Sequence, residues 1–158
     1  MDKINEIFIS KKYKKLLKEL EEIEKDRKFC KHNLEHFLSM SRIAYIKVLE
    51  NNLNVSKDVI YAIGLLHDIG RVLEYKQGIP HHKGSLILSE EILKETSYTE
   101  EEKSLIYKCI EAHRSEEEQD ELIEIIYKSD KLSRECFSCK AEKECYWNKE
   151  KKNMIIKY

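Results

Sequence analysis

The sequence predicts an all-α fold, and three observations carry that expectation. Only one proline and four glycines interrupt 158 residues rich in Glu, Lys, Leu and Ile, a composition that favours helices. Apolar residues recur at three- and four-residue spacing along most of the chain. Ser10, Ser56 and Thr99, which are residue types that cap helices, stand immediately before three of those runs. A chain of this length can bury a core as one domain, 1–158, without staples.

Composition also narrows the function. The 29 basic and 30 acidic residues nearly cancel, leaving a net charge of −1. That balance gives no general reason to expect a nucleic-acid polymer or a membrane as partner, and it is compatible with a local basic pocket. No apolar run approaches a membrane span, and the opening Met1-Asp2-Lys3-Ile4-Asn5 does not resemble a signal peptide. The expected location is therefore cytoplasmic. Five cysteines, an odd number, favour metal ligands or plain thiols over a disulfide framework.

Taken in order, Ile4, Ile7 and Phe8 suit a short first helical turn. Ser10 caps a charged helix reaching about Lys28, striped by Tyr13, Leu16, Leu17, Leu20 and Ile23, with its charged side solvated. The next helix, about 31–51, carries one stripe through Leu34, Phe37, Leu38, Ala44, Tyr45, Val48 and Leu49. On its other side His36, Met40 and Ile43 recur at helical spacing, so two faces are packed. Asn51-Asn52-Leu53-Asn54 is a loop, and Ser56 caps the central helix. Val59, Ile60, Ala62, Ile63, Leu65 and Leu66 surround that helix rather than stripe it, the mark of a buried helix.

His67 and Asp68 emerge at its end, and Gly70 suits a chain reversal. Arg71–Tyr75 forms a further turn before Gln77-Gly78-Ile79-Pro80 breaks the chain. A helix from His81 to about Lys94 follows, with His81, Ser85, Leu88 and Ile92 on one side. Thr99-x-x-Glu102 is a capping box opening a helix to Arg114, where His113 shares a face with Ile106, Cys109 and Ile110. Cys109 reads as a small buried apolar residue. The last helix runs from about Glu117 to Ser133 with Asp130 near its end, and a cysteine-containing, lysine-rich tail follows.

The stretch Leu66-His67-Asp68-Ile69-Gly70 organises the rest. A charged carboxylate at the end of a core helix is costly unless paired or bound to a metal, and imidazole beside carboxylate is good ligand chemistry. Further candidates, each beside an apolar face of another helix, are His36, His81 or His82, His113 and Asp130. His32 reads as a supporting or helix-start residue.

This order resembles the HD-domain metal-dependent phosphohydrolases, an all-α superfamily named for the His-Asp pair. The resemblance covers about residues 30–135, which makes 136–158 a cysteine-containing extension. It implies a minimal metal set of His36, His67, Asp68 and Asp130, with His67 and Asp68 at the catalytic centre. It also implies a second set in which His81 and His113 join Asp68, as in members with two metals. The resemblance favours His81 over His82, because Ser85 follows His81 by four as in similar sequences, and leaves His82 as the substitute. Mn, Fe, Co or Zn suits such mixed nitrogen and oxygen donors. Arg71, Arg114, Lys131 and Arg134 lie within a few residues of a ligand and are candidates to hold substrate phosphates. The expected activity is hydrolysis of a phosphate ester or anhydride in a small phosphorylated metabolite, a nucleotide or dinucleotide, by metal-activated water. The alternative is a non-catalytic sensor module that binds metal and nucleotide. Homo-oligomerisation is left open.

The cysteines form a separate motif. Cys136-x-x-Cys139 followed by Cys145 supplies three thiols, one short of a closed tetrahedral site. Cys30 lies six residues before His36, and Cys136 lies six after Asp130. If His36 and Asp130 share an ion on antiparallel helices, both cysteines are displaced the same way, by roughly 9 Å at 1.5 Å per residue. The expectation is a second, structural centre on Cys30, Cys136, Cys139 and Cys145, with zinc as the default occupant and an iron–sulfur cluster as the alternative.

Overall fold

The computed structural model describes residues 2–113 and 120–158, and every regular element among them is helical. The α-helices are α1 Asp2–Ile9, α2 Lys11–Ile23, α3 Leu34–Glu50, α4 Lys57–Leu66, α5 Arg71–Gln77, α6 His81–Leu93, α7 Glu100–Ala112 and α8 Glu121–Leu132. Two short 3-10 turns, Cys136–Ser138 and Glu142–Glu144, follow. Among the described residues no helix is long and apolar enough to cross a membrane.

Helix α4 is the axis of the bundle, with α1, α3 and α7 packed around it. Its apolar residues are buried on every side, from Val59 to Leu66. Gly64 lets α3 close on it: a Cβ there would lie 1.9 Å from Ser41 Oγ. Helix α8 lies along α3, while α6 packs between α5 and α7. Each fully buried Leu or Ile contributes about 1.5–3 kcal/mol, so this axis is the most strongly held part of the fold.

Helix starts follow local chemistry. Ser10, Asn33 and Ser56 accept the backbone N–H three residues on, and Asp120 accepts those of Leu122 and Ile123. The Thr99–Glu102 capping box is formed on both sides. Helix α3 packs on two faces, burying His36, Met40 and Ile43 as well as Phe37, Ala44 and Val48, although Leu49 is exposed.

Four boundaries differ from expectation, each for a local reason. The first helix is two turns, Asp2–Ile9, with Ile4 and Ile7 buried against the core. Helix α2 stops at Ile23 rather than near Lys28, because the buried Glu24 carboxylate is turned inward. It accepts from His32 N at 2.6 Å and from Tyr75 Oη at 2.7 Å. Helix α3 begins at Leu34 because Asn33 caps it. Helix α8 begins at Glu121 behind the Asp120 cap; the expected start at Glu117 lies outside the described residues.

Gly70 has a different role from the one its position suggests. Its backbone is right-handed, φ −67°, so it is no left-handed cap. A Cβ at Gly70 would meet Ser85 N at 1.9 Å and His81 O at 2.3 Å. Its missing side chain lets the start of α6 sit directly on the turn that carries Asp68. Gly78 is the residue that needs positive φ, at 71°, where it ends α5.

Candidate metal centre

Helices α3, α4 and α8 bring His36, His67, Asp68 and Asp130 together, all buried, with one ligand atom of each within 4.8 Å of the others. His67 caps the C-terminus of α4, and its ring contacts Gly64 O at 2.8 Å. A carbonyl oxygen only accepts, so Nδ1 carries the proton and Nε2 faces the centre. Nε2 lies 3.4 Å from Asp68 Oδ2 and 3.8 Å from Asp130 Oδ1. His36 is oriented in the same manner. Ser133 Oγ donates to Asp130 O, which leaves Ser133 Oγ to accept from His36 Nδ1 at 2.9 Å. Its Nε2 is 3.3 Å from Asp130 Oδ1.

A second group, Asp68, His81 and His113, is also buried, with one ligand atom of each within 4.8 Å of the others. His81 stands at the start of α6 and His113 at the end of α7. His113 Nδ1 donates to Ile110 O at 2.5 Å, and His81 Nδ1 lies 3.2 Å from Glu74 Oε1. Their Nε2 atoms are 4.0 and 3.4 Å from Asp68 Oδ1. Asp68 therefore presents Oδ2 to one group and Oδ1 to the other. His81, not His82, occupies this position; His82 is only half-buried and belongs to neither group.

Fit to a cation can be judged from the donors themselves. His67 Nε2 and Asp130 Oδ1 are buried and have no hydrogen-bond partner. Orphaned buried polar atoms are rare and costly, and two of them facing one point suit an ion. Burial lowers the pKa of His36 to about 3 and of His113 to about 4, and it lowers His81 and His32 as well. Neutral imidazole is the ligand form. For Asp68 burial opposes ionisation, but His67, Arg71 and His32 outweigh it and hold the carboxyl well below the usual range. For Asp130, His36, His67 and Lys131 outweigh burial likewise. His67 is the exception among the imidazoles. Burial opposes its charge, yet Asp68 and Asp130 prevail and raise it to about 9. In the metal-free protein a proton on His67 offsets carboxylate charge that an ion would otherwise meet.

Three of the expected phosphate-binding cations border this site. Arg71 Nε donates to Asp68 Oδ1 at 3.1 Å, and Lys131 Nζ is 2.5 Å from Asp130 Oδ2. Arg134 places NH2 2.9 Å from His36 Nε2, so it faces the same atom an ion would use. Arg114 lies outside the described residues. The centre opens into a cavity of about 800 Å³ whose wall includes these three cations, Tyr127, Tyr146 and Trp147.

Glu24 and Glu74 were not legible as participants, whereas His32, expected as a supporting or helix-start residue, stands beside Asp68. His32 points Nε2 at Asp68 Oδ2 from 3.6 Å, while its Nδ1 meets Glu24 Oε1 at 2.7 Å. Glu24 and Glu74 thus orient His32 and His81, the usual support for imidazoles at a metal. Nothing in the sequence separates these glutamates from the many others in charged helices.

An all-α bundle with two buried histidine–aspartate donor groups sharing one aspartate defines a class of candidate metalloprotein. The particular family follows from comparison: a model of the HD domain matches residues 33–135, and the chain belongs to that family. It is similar to an uncharacterized protein of Clostridium beijerinckii, 46% identical over 158 residues and covering the whole of both chains. No solved structure matches the chain. HD domains bind divalent metals, and the histidine–aspartate groups described above are compatible with that chemistry.

Proposed function

We propose that this protein is a metal-dependent phosphohydrolase acting on a small phosphorylated metabolite, a nucleotide or dinucleotide. The observation that carries the reading is Asp68, whose two oxygens face two separate donor groups at the floor of one cavity. His36, His67 and Asp130 would hold one divalent ion with Asp68, and His81 and His113 a second. Ions bound there would supply a hydroxide-like nucleophile near neutral pH and neutralise phosphoryl charge.

The remaining residues act around that centre. Arg71 fixes Asp68 and also lines the cavity, so it can hold Asp68 and contact a phosphate from one place. Arg134, whose NH1 stays bonded to Lys31 O, would free its NH2 beside the same cavity when His36 Nε2 is ligated. His32, backed by Glu24, keeps a neutral Nε2 facing the reacting region and can hold a proton there. Tyr127, Tyr146 and Trp147 give the wall apolar faces on which a base can stack. Cations with aromatic faces in one cavity support a nucleotide over a simple sugar phosphate.

The test is elemental analysis followed by a metal-loaded assay of phosphate release and phosphodiester cleavage across a nucleotide and dinucleotide panel. Metal-dependent turnover that disappears in His67→Ala supports the reading. Tight nucleotide binding with no turnover for any metal identifies a sensor instead and overturns it.

A further inference from the structure

The four cysteines outside the core lie together on one cavity beside the histidine–aspartate centre. Cys30, Cys136, Cys139 and Cys145 all line a cavity of about 260 Å³, and all four are thiols. Neither Cys30 nor Cys136 stands on a helical extension, so equal displacement along α3 and α8 does not place them. Cys30 precedes the Asn33 cap, and Cys136 opens a 3-10 turn after α8. Specific contacts produce the proximity instead. Arg134 NH1 donates to Lys31 O at 2.7 Å, holding the residue after Cys30 to the segment before Cys136. Lys28 pairs with Glu144, and the Phe29 ring meets Tyr146 edge-on at 6.4 Å, so the stretch before Cys30 is bound on both sides of Cys145.

We propose that Cys30, Cys136, Cys139 and Cys145 ligate an iron–sulfur cluster. Four cysteine thiolates are the ordinary ligand set of such clusters. A single zinc ion is the competing occupant, and spacing argues against it. Zinc–sulfur bonds of about 2.3 Å in a tetrahedron put the sulfurs about 3.8 Å apart. Among the described residues the groups whose ligand atoms all lie within 4.8 Å are the two histidine–aspartate ones, and the thiols form no such group. A polynuclear cluster needs wider sulfurs and a space between them, and the shared cavity provides that space. Four cations, Lys28, Lys31, Arg134 and Lys152, line the same cavity beside three carboxylates, Glu35, Glu135 and Glu142, which leaves its wall slightly basic. Each thiol gives up its proton on ligation of a preassembled cluster, and no change of oxidation state is required.

The cluster would also shape the neighbouring centre. Cys30 and Cys145, with Tyr146 and Trp147, belong to the wall of the larger cavity over Asp68 and His113. Ligation would pin that wall and hold Arg134 between the two centres.

The test uses the full chain purified without oxygen, or reconstituted anaerobically with sulfide and a mixture of ferrous and ferric iron, so that no further oxidant is needed. Expected are acid-labile sulfide, iron beyond that of the histidine–aspartate centre, and broad visible thiolate-to-iron absorption. Cys30→Ala and Cys139→Ala should each lose the band and the sulfide; Cys139 is exposed, so its replacement leaves the core intact. Asp68→Ala should keep both, which separates failure of this inference from failure of the phosphohydrolase reading. Reconstituted protein without sulfide, zinc bound by the thiols in its place, or full sulfide retention in both cysteine variants would overturn the proposal.

Discussion

The imidazole–carboxylate donors and the thiols are built on opposite principles. Every donor of the first kind stands on an α-helix or at its end, and those helices are fixed by the α4 core. Their positions are set by apolar burial that exists without any ion. Three of the thiols stand on a segment whose buried members are only Cys136 and Ala141. That segment is tied mainly by polar contacts: Asn153 Nδ2 donates to Lys131 O and Arg134 O, and Lys152 Nζ to Glu142 O. One centre is preorganised and can bind an ion with little rearrangement. The other holds its thiols on a segment with little buried apolar surface, and a bound cluster would add to its order.

This contrast can be broken most directly at Asp68. Replacing it by Ala removes the one carboxylate common to both donor groups, and a loss of activity of at least about a thousandfold is expected. Thermal stability should change far less, since the helices are held by the core. Metal content and calorimetry on the same sample check both parts; full metal content in the variant would refute the assignment.

Gly70→Ala probes the scaffold that preorganises the site. The new Cβ meets backbone atoms of α6 rather than a flexible side chain, so the helix must shift. A destabilisation of about 2–3 kcal/mol is expected from such overpacking. Because His81 O is one of those atoms, occupancy of the second ion should fall before that of the first. Metal stoichiometry across a titration distinguishes the two.

The pH dependence of ion uptake sharpens the contrast further. Metal needs neutral His67, whose folded pKa of about 9 lies above its ordinary value of 6.5. In the metal-free protein the charged form of His67 is favoured, so it contributes stability fully present below pH 6.5 and lost as pH rises through about 9. Loading at neutral pH should therefore release a proton, and apparent affinity should rise by about tenfold per pH unit until about pH 9. Isothermal titration in buffers of different ionisation enthalpy measures the proton count. A pH-independent affinity between 7 and 9 would mean that His67 is already neutral in the metal-free protein and that its pKa is not raised.

The smallest expected effect is at Asn153. Replacing it by Ala deletes two hydrogen bonds to the end of α8, worth about 1 kcal/mol each. Amide exchange should quicken across 136–158 and stay unchanged in α4. Equal protection of both regions would mean that the tail is held by something other than these contacts.

The helical class, the capping residues and the candidate residues His36, His67, Asp68, His113 and Asp130 were legible because each leaves a local signature. Val59 to Leu66 are apolar on all sides, and a helix with no polar face must be buried. Thr99 and Glu102 satisfy each other's backbone within one turn. His67 and Asp68 are adjacent, and the other donors lie beside apolar helical faces. What required the tertiary structure was everything decided by distant backbone. Gly70 resembles a turn residue until α6 is seen resting on it. Glu24 resembles any glutamate of a charged helix until His32, eight residues on, turns back to meet it. The choice of His81 over its neighbour His82 depends on which imidazole the α5–α6 junction aims at Asp68. Spacing along a helix is encoded within a few residues, whereas the meeting of helices depends on how the whole core packs.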